Sequence, residues 1–352
     1  MSMSMSEMLL EIDDLHTQFQ TLDGVVRAVD GVTLAIRPGE TVGLVGESGC
    51  GKSVTAHSIL RLLPPRIGSI TSGAIRFRRR DGSTVDLAQL DPRGSALRSV
   101  RGNEIAMVFQ EPMTSLSPVH TVGSQIAEAV TLHRRVSKRA ARERAIEMLA
   151  RVGIANPAQR FDEYPHQFSG GMRQRAMIAM ALSCEPSLLI ADEPTTALDV
   201  TVQAQIIELL AELKSQLKMA MLMITHNLGL IAELADRVAV MYTGKIVETA
   251  SAEHLLEQPR HPYTVGLMRS MPRLGAGVKG RLEAIPGSVP DPFHLPAGCT
   301  FAPRCGAERV PACYGPQRVP LVEVEPGHWA RCTLYMPETR QPSERRQEVT
   351  PA

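Results

Sequence analysis

Gly46-Glu47-Ser48-Gly49-Cys50-Gly51-Lys52-Ser53 separates two stretches of different hydrophobic period. Before it, TVGLV at residues 41–45 is an apolar run short enough for one buried strand. After it, SVTAHSILRLL has helical spacing and stops at Pro64-Pro65, a pair that cannot continue a helix. Strand, glycine-rich loop and helix, with the order G-x-x-x-x-G-K-[ST] between them, predict a phosphate-binding loop. The glycines let the chain curl so that successive N–H groups point at one phosphate, and the positive end of the following helix adds to that field. Lys52 is placed to reach the β- and γ-phosphates and the Ser53 hydroxyl to ligate Mg2+. Cys50 sits at a variable position of the pattern and reads as a small filler.

Outward from the loop, residues 7–40 alternate apolar and polar positions around turn formers, which predicts antiparallel strands. Residues 101–110, with IAMVFQ at their end, read as a buried strand. Residues 121–183 carry helical periodicity, as in AARERAIEMLARVG and GMRQRAMIAMALS. SLLIA at 187–191 and MLMIT at 221–225 are strands separated by the helix-patterned VTVQAQIIELLAELKSQL, a length that implies a right-handed parallel crossover. Residues 237–249 read as a hairpin turning at Thr243-Gly244. Asp192-Glu193 follows SLLIA, so two carboxylates stand at the C-terminal edge of a parallel sheet, where such sheets bind ligands. Asp192 is assigned to Mg2+ and Glu193 to the general base, since a metal ligand has its lone pairs occupied.

The whole chain bounds the alternatives. Its 352 residues allow one large core and an appendage, and 38 Lys+Arg against 37 Asp+Glu give a net charge of +1, so no polyanionic partner is indicated and no nucleic acid is expected. Aromatic residues make up only 4%, which suits a sheet flanked by helices. No run approaches the roughly 18–20 apolar residues of a bilayer span. MSMSMSEMLLEIDD lacks the pattern of a secretory signal, so the chain is expected in the cytosol, where structural disulfides among the six cysteines are not.

Phe168-Ser169-Gly170-Gly171-Met172-Arg173-Gln174-Arg175 resembles the signature of ABC ATPases, with Phe168 and Met172 in place of the commoner Leu and Gln. Ser169 and the Gly170-Gly171 backbone at a helix start form a second anion site. The resemblance implies that two such domains pair head to tail, each signature closing over the partner's ATP. It also implies an α/β fold: an ABC-type P-loop NTPase domain with a RecA-like core, an antiparallel β subdomain and an α-helical subdomain, followed by a small irregular cysteine-containing C-terminal domain. By the same resemblance Gln110 is the glutamine that senses metal and water, Asp199 belongs to the loop that crosses the dimer, and His226 is the switch histidine at the γ-phosphate. Phe19 is the aromatic nearest the first strands that could stack on adenine.

Within residues 7–250, finer features resemble the ATP-binding subunits of oligopeptide and dipeptide importers, and their D-type subunits in particular: Val45-Gly46-Glu47-Ser48-Gly49, and Gln110-Glu111-Pro112-Met113-Thr114-Ser115-Leu116-Ser117-Pro118. His261-Pro262-Tyr263-Thr264 resembles the HPY motif opening that subfamily's extension. The division expected is residues 1–255 for the ATPase domain, with a helical subdomain at about 111–185, then 256–340 for the C-terminal domain and 341–352 for a disordered tail. Beyond about residue 260 the composition turns to proline, glycine and cysteine, and a separate irregular module is expected. Cys299, Cys305, Cys313 and Cys332 suit a metal centre replacing a core. The resemblance implies a [4Fe–4S] cluster, with zinc or free buried thiols as alternatives. It further implies two multi-span permease subunits, a sister ATP-binding subunit, an extracytoplasmic solute-binding protein acting indirectly, and a peripheral place on the cytoplasmic face of the inner membrane. The competing reading is a soluble ABC ATPase outside transport, disfavoured by a single ABC domain without a coiled-coil insertion.

Overall fold

The computed structural model describes residues 8–110, 115–196, 198–270, 284–307 and 309–336. Expectations for the tail after residue 336, and for Glu111, Pro112, Met113, Thr114 and Ala197, fall outside them. β1 (Leu10–Thr21), β2 (Gly24–Ile36), β4 (Gly68–Arg78) and β5 (Thr84–Asp86) form an antiparallel sheet in the order β2-β1-β4-β5. The second sheet carries β3 (Thr41–Val45), β6 (Ile105–Val108), β7 (Leu188–Asp192), β8 (Ala220–Thr225), β9 (Arg237–Tyr242), β10 (Lys245–Ser251), β11 (Val322–Glu325) and β12 (His328–Ala330). Its order is β11-β12-β10-β9-β3-β8-β7-β6.

The run from β9 through β3, β8 and β7 to β6 is parallel. Every residue of β3, β6, β7 and β8 is buried, the outcome expected of strands covered on both faces and the reason their sequences are unbroken apolar runs. The helix Val200–Leu217 makes the crossover from β7 to β8. Asp199 caps its start by accepting from Val202 N at 3.0 Å, and Ile206, Leu210 and Leu213 share its buried face. Helices Val122–Arg134, Lys138–Arg151, Pro157–Arg160 and Gly170–Leu182 lie between β6 and β7 in sequence and pack through Ile126, Met148, Leu149, Phe168 and Met177. Phe168 is thus a core side chain of this layer.

Two expected elements are shorter than their hydrophobic runs. The helix after the glycine-rich loop is Lys52–Ile59. It ends where Arg61 turns left-handed at φ 53° and Arg101 covers the last carbonyls, donating to Leu60 O at 2.7 Å and Arg61 O at 2.8 Å. Arg101 is also the C-cap of the helix Ser95–Val100, its N–H donating to Leu97 O at 3.0 Å, so the strand predicted over 101–110 is confined to β6.

The region beyond residue 260 departs from expectation more. β12 pairs antiparallel with β10, so the hairpin β11–β12 extends the main sheet and does not stand apart from it. Tyr242 of β9 packs against Tyr263 and Phe301 with ring centroids 4.6 and 5.3 Å away, burying three of the chain's few aromatic rings at this junction.

Candidate functional site

Three glycines shape the loop after β3. A Cβ at Gly46 would stand 2.2 Å from Met241 O, and one at Gly51 2.2 Å from Ala28 O, so the loop lies directly on neighbouring backbone where no side chain fits. Gly49 and Gly51 also have φ of 78° and 105°. Lys52 turns back over the loop, its Nζ donating to Gly46 O at 2.8 Å and Glu47 O at 3.0 Å. Cys50 is buried behind it, as a filler. Burial pushes its thiol up, against the opposing pull of Lys52.

Ser53, on the first turn of the helix, donates to Asp192 Oδ1 at 3.1 Å. Burial raises the Asp192 carboxyl above its usual range, while the Ser53 hydrogen bond draws it down. Hydroxyl and carboxylate oxygens this close form the hard donor set that suits Mg2+, so these residues fit that ion. Next along, Glu193 is held in the left-handed region at φ 45°, its N–H donating to Ile224 O of β8 at 2.9 Å. Three side chains converge on its carboxylate: Gln110 Nε2 donates at 3.0 Å, Thr196 Oγ1 donates at 2.9 Å, and His226 Nδ1 stands at 3.4 Å.

Ala28, Ser48, Gly49, Lys52, Ser53, Gln110, Glu193 and His226 border one open cavity of about 520 Å3, a size in the range of small-ligand sites. Larger clefts of about 670 and 1060 Å3 lie elsewhere and border none of these residues. Phe19 stands away from this cavity, its ring against Gly68. Ser169, Gly170, Gly171 and Asp199 do not border it either. Ser169 caps the helix Gly170–Leu182 by accepting from Met172 N at 3.3 Å, and a Cβ on Gly171 would lie 3.1 Å from Val202 beside Asp199, so signature and aspartate share another part of the surface.

Sequence reasoning missed what stands behind the loop. Glu47 N donates to the Tyr263 hydroxyl at 2.8 Å, and Arg304 reaches both Glu47 carboxylate oxygens, at 2.7 and 3.1 Å. Thr196 was also missed; a threonine three residues after Glu193 was the available signal. Cys299, Cys305, Cys313 and Cys332 do converge, but on a cavity of about 10 Å3, room for one water. Cys313 Sγ and Thr333 Oγ1 share a hydrogen bond of 3.1 Å, and burial pushes the Cys332 thiol up to about 11.

Residues 29–196 match the ABC transporter family, and residues 247–313 match the C-terminal region of oligopeptide/dipeptide transporters. A putative peptide import ATP-binding protein of Brucella melitensis is 54% identical over 332 residues, covering 93% of this chain and 97% of the relative. The dipeptide transport ATP-binding protein DppD of Bacillus subtilis is 51% identical over 299 residues, 85% of this chain and 87% of the relative. A dimeric ATP-binding cassette in a post-hydrolysis state, bound to ADP and Pi, superposes with a TM-score of 0.60 at 25% identity, over 69% of this chain and 98% of that one. These comparisons correct the iron–sulfur expectation: the family and the relatives are described by ATP binding and peptide import, with no [4Fe–4S] centre.

Proposed function

The chain belongs to the ABC transporter family, and from that premise we propose that it hydrolyses ATP to power uptake of oligopeptides, dipeptides or related small solutes through separate membrane permease subunits. The observation that carries the chemistry is the convergence of Gln110, Thr196 and His226 on Glu193, beside the Ser53–Asp192 pair and the Lys52 loop. Lys52 and the loop N–H groups hold the β- and γ-phosphates. Ser53, Asp192 and Gln110 are the residues that would hold Mg2+, which when bound neutralises phosphate charge. Glu193 takes a proton from the attacking water, Gln110 and Thr196 fix its orientation, and His226 stands at the γ-phosphate. His226 is exposed on the open side of the cavity, with Nδ1 beside the Glu193 carboxylate. Ser169, Gly170 and Gly171, with Asp199 beside them, close over the ATP of a second ATP-binding subunit.

The working division is residues 1–255 for the ATPase domain, with its helical subdomain at about 111–185, and 256–340 for the C-terminal domain. No helix among the described residues is long and apolar enough to cross a membrane. The permease partners are assigned as two multi-span chains, the second ATPase as a sister subunit, and the solute as delivered by an extracytoplasmic binding protein. The assembly then places this chain on the cytoplasmic face of the inner membrane. The soluble, non-transport reading has no support among the import proteins that match.

Purification of the tagged chain from its own membranes in detergent tests this. Two permease chains and a second ATPase should co-purify, and peptide with its binding protein should stimulate hydrolysis. Recovery of ribosomal or repair proteins would overturn the reading.

A further inference from the structure

His328 of β12 is fully buried, and its two ring nitrogens face different surroundings. Nε2 lies 2.7 Å from Glu248 Oε1 of β10. That buried carboxylate already accepts from the backbone N–H groups of Arg260 at 2.6 Å and His261 at 2.9 Å, so it acts as an acceptor and His328 Nε2 donates to it. Nδ1 is the nitrogen that this pairing leaves over. Among the described residues Nδ1, like Arg260 Nε nearby, is buried with no hydrogen-bond partner, a state that an ion or a water would relieve.

Two further donors stand beside the His328 side chain. His254 comes from the helix Ala252–Glu257 that follows β10, and Glu325 from the end of β11. One ligand atom each from His254, Glu325 and His328 all lie within 4.8 Å of one another. His254 Nε2 and Glu325 Oε2 are 3.2 Å apart. Ligands about 2.0–2.1 Å from a tetrahedral ion stand roughly 3.3 Å from each other, so one edge already has the spacing. The His254 ring also lies 5.3 Å from that of His328, which completes the group of three donors. Arg260 holds Glu325 Oε1, leaving Oε2 turned to His254.

We propose that His254, Glu325 and His328 form a site for one divalent transition-metal ion of the zinc class, which pins the hairpin β11–β12 to the helix after β10. Two imidazoles and a carboxylate, with a fourth position open, match the borderline donor preference of that class. Glu248 fixes the His328 tautomer that presents Nδ1, the arrangement by which carboxylates orient metal-binding histidines. The site lies apart from the nucleotide cavity, so it stands whether or not the reading of ATP hydrolysis holds.

The full-length chain, stripped with a chelator, is titrated with Zn2+ by calorimetry and with Co2+ by visible absorption. The wild type should bind one equivalent with a Co2+ spectrum of nitrogen and oxygen ligands, and Zn2+ should raise its unfolding temperature. His254→Ala and Glu325→Gln should each weaken Zn2+ by at least the roughly 10–100-fold that loss of an outer partner alone produces. ATP affinity should be unchanged in both. No binding by the wild type, a thiolate-type Co2+ spectrum, or a full equivalent kept at wild-type affinity in both variants would overturn the site.

Discussion

The Tyr263 hydroxyl accepts a hydrogen bond from the Glu47 backbone N–H at 2.8 Å, joining the phosphate loop to a residue 216 positions downstream. Burial pushes the Tyr263 phenol up, so it stays a neutral hydroxyl. With the Arg304–Glu47 ion pair, it makes the chain beyond β10 a backing for the loop. The nucleotide site therefore depends on residues outside the matched ATPase segment.

Tyr263→Phe keeps the ring packing and removes the acceptor. Leaving the Glu47 N–H unpaired costs about 1–3 kcal/mol, so Tm should drop by several degrees and ATP affinity roughly five- to tenfold. Fluorescent-nucleotide titration beside calorimetry reads both. Unchanged values would reduce Tyr263 to a packing residue.

His261 ties stability to pH. Complete burial lowers its imidazole to about 3 from 6.5, so in that window the unfolded chain binds a proton that the folded chain refuses. Its contribution is complete above about 6.5 and is lost as pH falls toward 3, at up to about 1.4 kcal/mol per pH unit. His261→Asn retains an acceptor for the Tyr263 N–H and cannot titrate. Urea unfolding across this range should give a shallower acid limb for the variant; parallel limbs would contradict the assignment.

Lys52→Ala removes a charge-assisted contact worth about 1.5–3 kcal/mol, and ATP should bind roughly 10–100-fold more weakly. Loss of the bonds from Nζ to Gly46 O and Glu47 O also loosens the loop. Equilibrium titration decides it, and native affinity would show that the lysine does not reach the phosphates.

Local order was legible wherever a short segment carries its own instruction. The strand, loop and helix around Lys52 did, and so did the Thr243-Gly244 turn, whose φ values of 43° and 80° suit a two-residue hairpin. Glu193, Gln110 and His226, distant in sequence, border one cavity, and Asp192 meets it through Ser53. Pairing at long range was not legible. β12 has only three residues, too few for a periodic signal, and its partner β10 lies about eighty positions upstream. The HPY motif was visible while its work was not, since nothing near Tyr263 in sequence names Glu47. The four cysteines show the reverse: they meet, as their gathering in one short module suggested, yet that gathering did not tell free buried thiols from ligands around a cluster.

The central claim, hydrolysis with Glu193 as base, is tested most directly by Glu193→Gln, with ATP affinity and turnover measured on the same sample. Gln keeps the shape and can still bond Thr196, but it cannot take the proton. The account predicts near-native affinity and a loss of turnover of about 10²–10⁴-fold. Turnover close to that of the wild type would contradict it.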